Sequence, residues 1–265
     1  MKFVNRSQAK KEIGISYLGG INTSAKILKS KKVSKVNTYI LYLAPANTSG
    51  YNVCSHSTPE CRLGCLATSG RNKMEIASGR DAINKARIIK TKLFYENQDY
   101  FMAWLIAEIQ AQKNLAKLSG YYFAVRLNGT SDIDWSHVYY GGHNIFEIFN
   151  DVQFYDYTKN GDKFNNLPSN YHLTLSYTGR NWIESVFALE DNYNVAVVFD
   201  TKKNKPLPEK FHGYKVVDGD LTDYRVSDPK GCIVGLRFKK IANKEAQKKV
   251  LASKFVIREK ELVNV

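Results

Sequence analysis

The sequence feature that most constrains the fold is a series of short apolar runs after Gly120, each followed by a polar tip. Thr130, Thr158, Thr178 and Thr201 stand in four of these tips, at intervals of 28, 20 and 23 residues. Near-continuous apolar strands that recur at this rhythm are typical of parallel βα units buried on both faces. We therefore predict an α/β fold, a TIM-like parallel barrel or partial barrel, with an open parallel sheet as the alternative.

The first half of the chain supplies the remaining elements. Residues 37–45 predict the first strand, residues 72–118 predict two helices separated near Asn97, and residues 133–150 predict one crossover helix. Residues 1–36 are basic and weakly patterned, which predicts an amino-terminal arm. The length of 265 residues fits a single α/β domain, so we assign residues 37–265 to it.

Charge and targeting signals indicate the partner and the compartment. The net charge is +14, which attracts polyanions and predicts a nucleotide or nucleic-acid partner; the alternative is a solvated basic surface without a ligand. The start MKFVNRSQAKKEIG lacks the apolar core of a secretory signal, and no run of 18 apolar residues occurs. We therefore expect a cytoplasmic protein without membrane contact, while the oligomeric state stays open.

Three cysteines share the loop after the first predicted strand, in the spacing C-x6-C-x3-C: Cys54, Cys61 and Cys65. Clustered cysteines in a reducing compartment more often bind metal than form disulfides. Three thiolates can hold a 4Fe-4S cluster and leave one iron open to a substrate or cofactor, and we favour this interpretation. The alternatives are zinc, with His56 or Cys232 completing the site, and thiols without metal. For Cys232 itself, a buried structural role is favoured.

The polar tips supply candidate binding and catalytic residues, because sites in parallel α/β folds lie at the carboxyl ends of strands. Arginine and lysine can contact phosphate or carboxylate, Asp132 can orient a hydroxyl or accept a proton, and neutral side chains can bond a ribose or base. The alternative is that these residues form turns with their own backbone, or stand as surface lysines. The candidates are Arg126, Asp132 and Lys159 as catalytic residues, and Asn128, Thr130, Ser131, Thr158 and Thr178 for cofactor binding.

A separate acidic segment contains Asp218, Asp220, Asp223 and Asp228. Its carboxylates suit a divalent cation such as magnesium. The alternative, which we favour, is a set of salt bridges with Arg225 and neighbouring lysines.

Several separated motifs in one order resemble the phage "gene product 88" family: YNVCSHSTPECRLGCLATSGR, KARIIKTKLF, VRLNGTSDI, QFYDYTK and VVDGDLTDYRVSDPKGCIVGLRFK. The resemblance covers roughly residues 37–240 and implies a bacteriophage or prophage origin, hence the cytoplasm of an infected bacterial host. It assigns no activity.

More distantly, a cysteine triplet after a first strand is similar to radical S-adenosylmethionine enzymes. That similarity implies Cys54, Cys61 and Cys65 as ligands of a four-iron cluster, with Asn128, Ser131 and Asp132 holding the nucleoside of S-adenosylmethionine. The spacing departs from the C-x3-C-x2-C of those enzymes, and no glycine-rich element follows the second predicted strand.

Overall fold

A computed structural model describes residues 6–23, 25–65, 74, 78–241 and 243–258. Eight helices and twelve strands are assigned within these residues. The helices are α1 (Arg6–Ile13), α2 (Ala25–Ser34), α3 (Pro59–Leu63), α4 (Ala82–Glu96), α5 (Gln98–Leu118), α6 (Ile145–Ile148), α7 (Trp182–Glu190) and α8 (Lys244–Leu251). The strands are β1 (Gly19–Ile21), β2 (Val36–Leu41), β3 (Tyr122–Arg126), β4 (Tyr139–Tyr140), β5 (His143–Asn144), β6 (Gln153–Thr158), β7 (Tyr171–Ser176), β8 (Asn194–Phe199), β9 (Lys210–Phe211), β10 (Tyr214–Asp218), β11 (Ile233–Arg237) and β12 (Val256–Ile257).

Hydrogen bonding orders the main sheet as β1-β2-β3-β6-β7-β8-β11-β10-β9, with β12 also paired to β8. The pairs β2–β3, β3–β6, β7–β8, β8–β11 and β10–β11 are parallel, whereas β1–β2 and β9–β10 are antiparallel. The fold is therefore α/β with mostly parallel strands, as predicted. The predicted TIM-like barrel is not confirmed, because the described strand order has two ends, β1 and β9. Both ends are short antiparallel strands, a common way to terminate an open sheet.

The chain divides into two compact units, each built from separate stretches of sequence. Unit 1 comprises Met1–Ser55, Asp81–Asp156 and Asn166–His172, and unit 2 comprises His56–Arg80, Tyr157–Asn165 and Leu173–Val265.

Unit 1 is organised around the parallel pair β2–β3, whose register runs from Val36 opposite Tyr122 to Ile40 opposite Arg126. Helix α5 contacts β1, β2 and β3, because its apolar residues recur at helical spacing. Phe101, Leu105 and Ile109 of this helix are fully buried. The described part of the predicted amino-terminal arm contains α1, β1 and α2, and β1 pairs with β2.

Unit 2 has β8 at its centre, because β7, β11 and β12 all pair with it in parallel. The strand sequence NVAVVF is apolar almost throughout, as expected for a strand covered on both faces. Its core combines residues of five strands and one helix, including Leu175, Val195, Ile233, Ile257 and Leu189.

The predicted crossover helix over residues 133–150 is wrong. This segment forms a 3-10 turn (Trp135–His137), the hairpin β4–β5 and only the short helix α6. Gly141 and Gly142 have φ angles of 59° and 86°, a conformation that favours glycine and turns the hairpin. Asn144 then caps α6 together with Glu147.

The two predicted helices after the cysteine loop are present, although α4 begins at Ala82 and residues 66–73 and 75–77 lie outside the described part. The helices separate at Asn97 as predicted, and Asn97 caps α5, since its side chain accepts a hydrogen bond from the Tyr100 amide. No helix among the described residues has the length and apolar character needed to cross a membrane.

Candidate functional site at the carboxyl ends of the parallel strands

The start of the cysteine loop is anchored to the segment that follows β3, within unit 1. The Asp132 amide donates to the carbonyl of Val53 at 2.7 Å, and the Cys54 Sγ lies 3.8 Å from the carbonyl oxygen of Thr130. The Thr130 hydroxyl in turn donates to the carbonyl of Leu43, just past β2. The first cysteine of the triplet is therefore held at the carboxyl ends of two neighbouring parallel strands, where ligands bind in open α/β sheets.

An aromatic pair supports the same loop from α4. The Tyr51 and Tyr95 rings stack with centroids 4.4 Å apart, and the Tyr95 hydroxyl donates to the carbonyl of Asn52. The pKa of Tyr95 is raised, first by burial and then by the neighbouring Cys54. The Cys54 thiol is partly exposed, so it stands at the surface of this edge rather than in the core.

Asn128 is the centre of the turn after β3. Its Oδ1 accepts hydrogen bonds from the Ser131 hydroxyl at 2.9 Å, the Ile133 amide at 3.0 Å and the Trp135 indole at 3.2 Å. Its Nδ2 donates back to the Ile133 carbonyl. Asn128 is 4% exposed, so in this structure it and Ser131 build the turn. Their predicted role in cofactor binding stays a prediction.

Beneath this turn, Arg126 and Asp156 form a buried charge contact. The Arg126 Nε is 3.6 Å from an Asp156 carboxylate oxygen, and Arg126 also lies over the Tyr155 ring. Asp156 accepts hydrogen bonds from the amides of Leu127 and Asn128, both at 3.1 Å. The carboxylate thereby fixes the end of β3 from the adjacent strand.

Tyr171 completes this buried group, since its hydroxyl donates to Asp156 at 3.4 Å. Burial raises the pKa of Tyr171 well above its ordinary value, and the negative charge of Asp156 adds to the effect. Sequence reasoning gave no role to Asp156, Tyr171 or Trp135. The available signal was the carboxylate within the otherwise apolar and aromatic strand QFYDYT.

The predicted tip residues of unit 2 lie at the ends of β6 and β7. The Thr158 hydroxyl accepts a hydrogen bond from the Asn160 amide, and Thr178 donates from both its amide and its hydroxyl to the Asn181 side chain at 2.8 Å. Both threonines are buried and bond within their own turns, whereas Lys159 is half-buried. Their binding roles also stay predictions.

Helix α3 carries the second part of the cysteine loop in unit 2. Thr58 caps the helix by accepting a hydrogen bond from the Cys61 amide, and Glu60 pairs with Arg180 at 3.0 Å. A cleft of about 280 Å³ opens beside this pair, lined also by Ser253 and Lys254. Cys65 follows the helix.

None of the four cysteines, all of which the structure describes, is in a disulfide. Cys54 belongs to unit 1, whereas Cys61 and Cys65 belong to unit 2, and all three are partly exposed. No three of the described His, Cys, Asp or Glu side chains are grouped as a ready-made metal site. The donor set of three accessible thiols within twelve residues nevertheless suits a soft metal centre. The predicted triplet thus stays a prediction.

Cys232 differs from the triplet. It is 2% exposed, its Sγ lies 3.1 Å from the carbonyl of Pro229, and its amide donates to Asn194. Burial raises its pKa to about 11, with a further contribution from Asp228. A buried thiol that stays protonated fits the structural role that we favour for it.

The acidic segment is engaged by arginines. Arg237 contacts both carboxylate oxygens of Asp218 at 2.9 Å and donates its amide to Asp220, and Arg225 pairs with Asp228 at 2.9 Å. The favoured salt-bridge interpretation is therefore observed, although Arg237 takes the place expected for lysines.

A family model described as "Gene product 88" matches residues 11–257, nearly the whole chain. The chain belongs to the gene product 88 family. The match confirms the resemblance seen in the sequence motifs and extends it at both ends. No curated protein and no solved structure matches the chain. The similarity to radical S-adenosylmethionine enzymes therefore remains an interpretation of the cysteine loop.

Proposed function

We propose that this member of the gene product 88 family is an iron–sulfur enzyme of the radical S-adenosylmethionine type, acting on a nucleotide or nucleic acid. Cys54, Cys61 and Cys65 would be the cluster ligands. The observation that carries the proposal is the position of Cys54, whose thiol lies 3.8 Å from Thr130 at the carboxyl end of β3. The cysteine loop thus starts where parallel α/β proteins bind their ligands.

The residues fit such a centre by their chemistry. Iron–sulfur clusters are held by cysteine thiolates, and the three loop cysteines form no disulfide and are partly exposed. The described residues hold no ready-made group of three ligands, so binding of the cluster would draw the thiols together, as in other sites that couple metal binding to folding. A bound cluster would supply one-electron chemistry and an open iron.

The chain's own residues would position the substrate. The partly exposed Asp132 is anchored beside Cys54 by the hydrogen bond from its amide to the Val53 carbonyl, and it would orient a hydroxyl or accept a proton. Arg126, the predicted catalytic arginine, would act from beneath the turn, where its charge is already balanced by Asp156. The net charge of +14 supports a nucleotide or nucleic acid as the substrate class.

The test is the metal content of protein purified without air, followed by absorption spectra. We expect about four iron and four sulfide per chain. Cys54→Ala, Cys61→Ala and Cys65→Ala should each lose the cluster, whereas Cys232→Ala, the matched control on a buried thiol, should keep it. Addition of S-adenosylmethionine should then alter the electron paramagnetic resonance spectrum of the reduced cluster.

Absence of iron and sulfide from the anaerobic protein would refute the proposal. Zinc without iron, lost in the loop variants, would indicate a structural metal site that also employs His56. Such a site would leave the chain as a non-catalytic nucleic-acid-binding protein, the alternative that the charge alone supports.

A further inference from the structure

An exposed surface of lysines and tyrosines lies at the amino-terminal ends of β2 and β3 in unit 1. Lys35 immediately precedes β2, Tyr122 begins β3, and the Tyr122 amide donates to the Lys35 carbonyl at 2.9 Å. Because β2 and β3 are parallel, this surface lies at the opposite strand ends from Cys54 and Asn128. We call it the lysine–tyrosine surface; it consists of Lys31, Lys32, Lys35, Lys117, Tyr121 and Tyr122.

Its aromatic part is unusually accessible. Tyr122 is 74% exposed, although it starts a strand whose later residues are buried. The Lys31 Nζ lies 4.7 Å from the centroid of the adjacent Tyr121 ring, a cation–π contact. Leu118, just before the turn at Gly120, is 84% exposed. An exposed aromatic ring next to positive charge suits a partner that offers both a planar face and negative charge.

The positive charge of this surface is not neutralised within the described part of the chain. Lys31, Lys32, Lys35 and Lys117 form no ion pair there. One turn before Lys117, Lys113 pairs with Asp151, so that carboxylate is already engaged. Lysines without a carboxylate partner can exchange their counterions for phosphates.

We propose that the lysine–tyrosine surface binds single-stranded nucleic acid, with a base stacked on Tyr122 and phosphates at the lysines. Stacking on exposed aromatic rings in a basic groove is how single strands are bound without sequence preference. A duplex hides its base faces, so it cannot use Tyr122 in this way.

This inference deepens the proposed function, because it names a nucleic-acid strand rather than a mononucleotide as the partner. The lysine–tyrosine surface lies at one end of β2 and β3, and Cys54 lies at the other end. These strands are six and five residues long, so the two ends are about 17 Å apart at the rise of a β-strand. A mononucleotide cannot span that distance, whereas a strand of several nucleotides can. The binding itself does not require a cluster.

The experiment measures fluorescence anisotropy of a labelled 20-nucleotide oligothymidine across a salt series. Tyr122→Ala should weaken binding about tenfold, the effect of losing one stacked base. The matched control is Tyr139→Ala, at another exposed tyrosine of unit 1 (50% exposed), which should bind like the parent chain.

The lysine pair Lys32→Ala with Lys117→Ala should make the negative slope of log K against log salt shallower by about 1.4, since each phosphate contact to a single strand contributes about −0.7. Lys202→Ala with Lys203→Ala removes the same charge from exposed positions of unit 2 and is the matched control. Its slope should stay near that of the parent chain.

Equal affinity of Tyr122→Ala and Tyr139→Ala would overturn the inference. Equal competition by a duplex of the same length would do so as well. Binding to anionic lipid vesicles with none to the oligonucleotide would show a membrane surface instead. The iron content distinguishes failure of this inference from failure of the proposed function. Tyr122-dependent binding by a chain without iron would support nucleic-acid binding at the lysine–tyrosine surface and refute the iron–sulfur proposal.

Discussion

Asp156→Asn tests whether the buried charge contact at the end of β3 holds the candidate site together. Asp156 is 1% exposed and lies 3.6 Å from Arg126, which is 9% exposed. The substitution keeps the shape of the side chain and removes its charge. It also leaves one acceptor oxygen where two serve the amides of Leu127 and Asn128.

The expected loss follows from these contacts. Removing one partner of a buried charge pair costs about 3–5 kcal/mol, because the remaining charge stays desolvated. An unsatisfied buried amide alone costs about 1–3 kcal/mol. The two effects overlap at the same carboxylate, so we expect the free energy of unfolding to fall by about 3–5 kcal/mol in total.

Urea unfolding followed by tryptophan fluorescence measures this change, since Trp104 and Trp135 of unit 1 are buried. The matched control is Asp151→Asn, which breaks the Lys113 ion pair with a side chain 61% exposed. Exposed ion pairs contribute about 0–1 kcal/mol. If Asp156→Asn loses no more stability than Asp151→Asn, the structural role given to the buried pair is wrong.

Two further substitutions each test one close-packed or buried position, Gly179 in unit 2 and Lys90 in unit 1. Gly179→Ala should lower the free energy of unfolding by about 2 kcal/mol or more, because Gly179 has a φ of 86° and an added Cβ would lie 2.6 Å from the Lys254 backbone. The control in the same urea assay is Gly161→Ala, because an added Cβ there would meet open space. Burial lowers the pKa of Lys90 to about 8, so between about pH 8 and pH 10 the unfolded chain binds more protons than the folded chain. The free energy of unfolding of the parent chain should therefore rise with pH over this range. Lys90→Met should abolish this rise, because methionine does not titrate. A parent chain whose stability is flat over that range, measured by urea unfolding at several pH values, would contradict the assignment of a buried, easily deprotonated Lys90.

The strands were predictable because each apolar run ends at residues that turn the chain. Runs such as NVAVVF and CIVGLRF contain β8 and β11, with bounds within one residue or two. Whether the sheet closes into a barrel was not predictable, because closure depends on pairing between the first and last strands of the sheet. That pairing is non-local and leaves no local pattern in a single sequence. The short antiparallel strands β1 and β9 occupy these positions instead.

The error at residues 133–150 has a local cause. Apolar residues there occur at spacings compatible with a helix, but Gly141-Gly142 is a hairpin signal and outweighs them. At the candidate site, the turn after β3 was foreseen as one of two alternatives, whereas its support by Asp156 was not. Asp156 lies 28 residues after Asn128 and reaches it only through strand pairing.

The residues at this edge of unit 1 separate by burial into two groups with different consequences. Asn128 and Asp156 are buried, and their side chains form hydrogen bonds that stabilise the turn. Substituting either residue would therefore impair function by lowering the stability of the fold. Cys54 and Asp132 are partly exposed at the same edge, and a ligand that approaches the strand ends can contact them without unfolding the turn. Loss of activity in Asn128 variants is therefore evidence for a binding role only where the free energy of unfolding is unchanged. At Cys54 and Asp132, the same loss bears directly on chemistry.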